Sequence, residues 1–201
     1  MAVDIKKDMK EFYQPPVSPV FVNVPEMNFL MLSGAGHPDS ELFQNTIQTL
    51  YAAAYGIKFA LKKQSNATEY VVPPLEGLWW TQNEAVFDIE HKENWAWTLM
   101  IIQPDFITQD TFQVVVEGLS KKKNMPLLSQ VKIEAFCEGL CVQLMHIGPY
   151  SAEPPNIIKM HQYAEAAGYK LHGKHHEIYL GDPRRTTSEK LKTVLRQPIC
   201  R

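Results

Sequence analysis

The residues best suited to chemistry lie near the C-terminus, in the run His175, His176, Glu177, Ile178, Tyr179, Leu180. Successive side chains of a strand point to opposite faces. Ile178 and Leu180 therefore share an apolar face, and Glu177 shares the other with His175 and Tyr179. A carboxylate at the centre of a sheet groove is partly desolvated, and its pKa rises unless a cation or hydrogen bonds support the charge. Such a group attracts a cationic ligand or serves as a general base. The same letters also fit a solvent-facing glutamate on a short edge strand. Aromatic rings are the second resource, and all four tryptophans, Trp79, Trp80, Trp95 and Trp97, fall in one stretch. Trp79 and Trp80 are consecutive, so one faces the core and the other a groove or solvent. Trp95 and Trp97 share a face with Leu99 and Ile101 and read as core.

Other chemistries find little support. Twenty Lys and Arg stand against 22 Asp and Glu, for a formal charge of -2. Nucleic-acid binding draws on clustered cations, and the short runs Lys121 to Lys123 and Arg184-Arg185 read as solvated surface. No P-loop, G-x-S-x-G or G-x-G-x-x-G is present, and Gly34-Ala35-Gly36 lacks the third glycine, so no cofactor is expected. His172, His175 and His176 have no carboxylate or cysteine spacing to complete a metal site. Cys137, Cys141 and Cys200 read as small hydrophobes in a reducing compartment. The N-terminus has no apolar h-region, and no apolar run reaches the ~18 residues of a membrane span. A cytoplasmic protein without a membrane partner is expected.

These residues need elements to position them. Residues 1–19, polar and then proline-rich, read as an arm leading into one domain over 20–201. An apolar strand from Val20 is broken at Gly36, His37, Pro38, Asp39, Ser40, and Ser40 is a good N-cap. Leu42 to Lys63 carries helical periodicity in Phe43, Ile47, Leu50, Ala54, Ile57 and Leu61, with a second stripe of Tyr51, Tyr55, Lys58 and Lys62. Strands are expected over Tyr70–Trp80 and Trp95–Gln103, and a helix over Thr108–Lys123. An extended run Gln130–Ile147, a helix Pro155–Ala167 and a strand His175–Leu180 follow. Pro149 and Ser151 repeat the spacing of Pro38 and Ser40 between a strand and a helix. The two helices end alike, in Ala54-Tyr55-Gly56 and Ala166-Ala167-Gly168.

The chain thus reads as two β-α-β-β units, about 20–104 and about 126–185. A connector helix lies at about 105–125 and a terminal helix at about 186–196. Matching Pro104 to Pro183 makes Thr98 the counterpart of Glu177. The expected fold class is α+β: duplicated units related by a pseudo-two-fold, sharing an antiparallel sheet, with helices on one face and a central ligand groove.

Three segments carry a family resemblance: YAAAYGIKFALKK (Tyr51–Lys63), PLEGLWW (Pro74–Trp80) and HEIYLGDPRRTTSEKLKTVLRQPI (His176–Ile199). They resemble the GyrI-like small-molecule-binding proteins, and the likeness covers nearly the whole chain after the arm. It implies the same pair of units, of SHS2 type, and an acidic residue in the groove, a position that Glu177 matches. In many relatives the domain follows a DNA-binding helix-turn-helix. The residues before Val20 are too few and too rich in proline for one, so a transcription factor is not expected.

The L-E-G-L-W-W string resembles a stand-alone branch, the cyclopropanoid cyclopropyl hydrolases. These open the cyclopropane of DNA-alkylating natural products of the yatakemycin and CC-1065 type inside an aromatic cage, protecting against xenobiotics. The resemblance implies Glu177 and Tyr179 as catalytic residues, Glu177 orienting or deprotonating water and a tyrosine hydroxyl donating to the oxyanion. It also implies a cage of Tyr55, Trp79, Trp80 and Tyr150 with Tyr179. The expected ligand is an aromatic or cationic small molecule. Two other readings stay open: a non-catalytic protein that sequesters drugs, and an inhibitor of gyrase type whose groove takes a protein segment.

Overall fold

The computed structural model describes residues 2–63, 68–81, 94–121 and 124–201. Two one-turn helices, α1 (Ile5–Asp8) and α2 (Lys10–Tyr13), precede β1 (Val20–Val24). The first unit is β2 (Met27–Ala35), α3 (Glu41–Lys62), β3 (Glu76–Thr81) and β4 (Trp95–Gln103). Ser40 caps α3 as expected, its hydroxyl accepting from the Phe43 amide at 3.3 Å, which satisfies one of the donors a helix start leaves open. Helix α4 (Gln109–Ser120) and β5 (Lys132–Phe136) connect to the second unit. That unit is β6 (Gly139–Ile147), α5 (Pro154–Ala166), a two-residue β7 (Lys170–Leu171), β8 (His175–Tyr179) and β9 (Lys192–Cys200).

One antiparallel sheet holds these strands in the order β1-β6-β9-β8-β3-β4-β2-β5, with β7 against β9. The order reads the same from either end. β3 answers to β8, β4 to β9, β2 to β6 and β5 to β1, and the seam between the halves is the β3–β8 pair. Three expectations change here. Residues 186–196 do not form a terminal helix: Lys192–Cys200 is a strand, preceded by a single 3₁₀ turn at Ser188–Lys190. Pro198 and the β-branched Thr193, Val194 and Ile199 disfavour a helix there. The last strand of the second unit is therefore β9, so matching Pro104 to Pro183 is off by one strand. Glu177 sits opposite Gly77, whereas Thr98 pairs with Ser33 and Leu78. The strand expected from Tyr70 begins only at Glu76, Tyr70 making an isolated bridge to Val3.

The alternation of strands divides the apolar residues between two faces. Leu50 and Ile57 of α3 cover Trp97 and Leu99 on one face, and Met160 of α5 covers Val142, Leu144 and Leu195 on the same side. On the other face Met100, Ile178 and Val194 pack with Phe12 and Tyr13 of the arm. The arm is thus a packed element and not merely a lead-in. Where Gly34 pairs with Trp97, the indole lies so close that a Cβ on Gly34 would stand 2.3 Å from its Cη2 atom.

Charges hold the arm in place. The Tyr13 hydroxyl donates to Glu76 Oε1 at 2.7 Å, and Arg196 Nη2 donates to the Phe12 carbonyl at 2.8 Å. His176 lies between Glu76 and Glu138, 3.0 Å from each, and Arg196 Nη1 is 2.7 Å from Glu138. Glu76, Glu138, His176 and Arg196 are all buried, two acids against two bases, as burial of charge requires. Burial alone would push His176 down, but the two glutamates raise it from 6.5 to about 9. Burial would likewise push Glu138 up, yet His176 and Arg196 lower it from 4.5 to about 2.

Two measurements follow. A raised base contributes stability in full below its unfolded pKa and loses it as pH climbs through the folded one. The stability advantage of the wild type over His176→Gln, measured by urea unfolding, should be full near pH 6 and shrink as pH rises from about 6.5 through about 9. Gly34→Ala should lower stability by about 1–3 kcal/mol, the cost of overpacking, in the same assay.

Candidate functional site

The seam strands place Gly77 and Trp79 of β3 beside His175, Glu177 and Tyr179 of β8 on the face that carries α3 and α5. Above them, between the start of α5 and the exposed flank of α3, opens a cavity of about 1160 Å³. Glu177, Tyr179, Trp79, Tyr150 and Tyr55, all named from the sequence, line it. Trp80 does not. It points to the other face, where the Lys174 ammonium lies 3.5 Å from its ring centroid, a cation–π contact. The His172, His175, His176 cluster also divides, because His175 and His176 face opposite sides of β8. Among the described residues no group of three or more His, Cys, Asp or Glu is placed to hold a metal.

At the floor, Glu177 is nearly buried, its side chain retaining 12% exposure. The Tyr179 hydroxyl donates to Glu177 Oε2 at 2.8 Å and accepts from Trp79 Nε1 at 3.0 Å. His175 Nε2 lies 3.4 Å from Glu177 Oε1. Burial, then the charge of Glu177, raises Tyr179 well above the ordinary phenol value, so it stays protonated. Burial with the charges of Glu153 and Glu177 pushes Tyr150 up to about 12.

The walls are aromatic. Phe43 stacks on Trp79 with centroids 5.5 Å apart, and Trp95 meets Trp79 edge-on at 5.2 Å. Tyr150 meets Tyr179 edge-on at 5.7 Å, and Tyr51 stands 6.2 Å from Tyr55 along α3. Sequence reasoning missed Phe43, Tyr51, Trp95 and Glu153 as cavity residues. Tyr51 had a signal, since it lies one helical turn before Tyr55 on the same stripe. Phe43 and Trp95 read as core, and they are both core and wall. Glu153, a buried acid just before α5, stands in no pattern that marks it.

A duplicated sheet with a ring-lined cavity at its seam and an acid on the floor makes this an α+β domain with a site for a small molecule. The chain belongs to the GyrI-like small molecule binding domain family, whose model matches residues 18–199. An uncharacterized conserved protein from Listeria innocua is similar, with a TM-score of 0.92 and 44% identity over 98% of this chain and 100% of that one. Two hydrolases from Listeria innocua are similar as well, at 43% and 42% identity with TM-scores of 0.90 and 0.87. They match 100% and 98% of this chain and 100% of each of theirs. The C-terminal domain of EcmrR shares the fold alone, with a TM-score of 0.59 at 14% identity over 92% of this chain and 98% of that one. No curated protein matches the chain. No helix among the described residues is long and apolar enough to cross a membrane.

The placement of the rings separates two variants. In a fluorescence titration with a planar aromatic compound, Trp80→Phe should leave affinity within about twofold. Tyr150→Leu should weaken it about two- to tenfold, the worth of one good aromatic contact.

Proposed function

We propose that this chain binds planar aromatic electrophiles in the seam cavity and hydrolyses them, with Glu177 as general base. The proposed substrates carry a cyclopropane conjugated to a dienone, as in DNA-alkylating agents of the cyclopropanoid type. The observation that carries the reading is a nearly buried carboxylate, hydrogen-bonded on one oxygen, at the floor of a cavity walled by rings. The likeness to two hydrolases over almost the whole chain supports a catalytic role.

The chemistry balances without a cofactor. Rings on both sides hold the flat substrate and exclude bulk water, which replaces a collision by a fixed geometry. Water attacks the cyclopropane methylene, and a carbon–carbon bond of the strained ring breaks. Its electron pair passes into the dienone, which becomes a phenolate. Glu177 takes the proton that the water loses, and that proton passes to the phenolate oxygen, leaving a phenol and a primary alcohol. The developing phenolate calls for a hydrogen-bond donor, and Tyr51, Tyr55 and Tyr150 on the cavity wall carry that type of group. Tyr55, Tyr150 and Trp79 serve the cage in this reading.

Mass spectrometry of a cyclopropanoid alkylator incubated with the protein tests the reading: one water should be added, with turnover. Glu177→Gln keeps the shape and removes the base. Its hydrolysis should fall by about 10²–10⁴-fold while aromatic ligands still quench tryptophan fluorescence. Unchanged compound with quenched fluorescence in the wild type would instead mean sequestration without chemistry.

A further inference from the structure

We infer that Trp79, Tyr179 and Glu177 form one directed hydrogen-bond chain through space left by Gly77, which fixes Tyr179 as a donor to Glu177 and so orients the carboxylate that receives the proton of water. The inference rests on the hydrolase reading for its last clause only. Trp79 then becomes a positioning residue as well as a cavity wall, and Tyr179 is withdrawn from donating to the substrate.

The direction follows from the inventory of hydrogens. An indole N–H only donates, a phenol has one hydrogen to give, and a carboxylate only accepts. Because Trp79 Nε1 must be the donor at 3.0 Å, the Tyr179 oxygen is the acceptor there. The single Tyr179 hydrogen goes to Glu177 Oε2 at 2.8 Å. No hydrogen is left on Tyr179 for a ligand, and its remaining lone pair can only accept. Glu177 Oε2 takes this bond and Oε1 lies 3.4 Å from His175 Nε2, so the carboxylate is held from both ends.

The strand register explains how the chain can form. Trp79 is level with His175, Gly77 with Glu177, and the Tyr179 amide bonds to the Leu75 carbonyl at 3.0 Å. Trp79 and Tyr179 therefore stand about four residues apart along the strands, roughly 13 Å of backbone. They meet only by leaning toward each other over the Gly77–Glu177 pair. A Cβ on Gly77 would fall 2.9 Å from Trp79 Nε1 and 3.2 Å from the Tyr179 hydroxyl. The chain occupies the volume that any other residue would need.

The rings on either side hold the posture: Phe43 and Trp95 fix the indole, and Tyr150 braces Tyr179. An arrangement locked by packing and by outer hydrogen bonds keeps a reacting group in place.

The chain can be tested with no substrate, by the Trp79 indole cross-peak in ¹H–¹⁵N spectra, assigned through its loss in Trp79→Phe. In Tyr179→Phe the cross-peak should move upfield and its exchange with solvent should quicken, because the acceptor is gone. Gly77→Ala should do the same if it folds. An indole signal unmoved in Tyr179→Phe overturns the chain, whatever the enzyme does. With a cyclopropanoid alkylator as probe, Trp79→Phe keeps a ring but loses the donor. Its kcat should fall about five- to tenfold, the worth of one hydrogen bond, with KM within about threefold. A rise in KM at constant kcat would make Trp79 a wall alone and overturn its positioning role. Should the wild type show no turnover at all, the hydrolase reading fails while the indole signal still decides the chain.

Discussion

The antiparallel pairing of β3 with β8 is the constraint on which the molecule turns. It joins the two halves into one sheet, and it sets Gly77 against Glu177 and Leu78 against His176. Because a strand alternates its side chains, one step along either strand moves from one environment to its opposite. Gly77 and Glu177 face the rings and the cavity. Glu76 and His176, their immediate neighbours, face the arm and the buried charges. A slip of one residue in this register would exchange the two sets. Glu177 would then enter an apolar and ionic interior, and His176 would enter the cavity.

The two faces are finished by different forces. Behind the sheet, four buried charges and the Tyr13 hydroxyl tie the arm to β3, β8 and β9. Breaking such a group by removing one partner is costly, since the other charges stay buried. In front, rings and the carboxylates of Glu177 and Glu153 line a cavity that stays open where a core would otherwise close. The rigidity behind the seam supports the openness before it, because the same two strands carry both.

Much of this was legible in the letters. The repeat around Pro38 and Pro149, the helix of Phe43 to Ile57 and the strand WAWTLMIIQ all follow from local periodicity, and each stands close to where it was expected. The facing of Glu177 with His175 and Tyr179 came from simple alternation. What failed was non-local. β9 lies between β6 and β8 with both faces covered, so it shows no alternation, and its buried Arg196 reads as surface until Glu138 is seen beside it. Misreading that strand displaced the match between the halves and put Thr98 where Gly77 stands. The choice between Trp79 and Trp80 was equally beyond the text, because alternation separates the two without saying which face is hollow. The arm hid its role because its contacts, Tyr13 to Glu76 and Phe12 to Arg196, join residues 63 and 184 positions apart.

The opposition of Gly77 and Glu177 gives the scaffold a handedness of use. Two halves of like topology meet there, yet one brings an acid and the other a bare hydrogen. Phe43, Trp79 and Trp95 wall the cavity from the first half and Tyr150 and Tyr179 from the second, so a guest turned end for end would meet different rings as well as a different floor. The like topology of the halves shapes the receptacle, and the bare Gly77 beside Glu177 makes it directional.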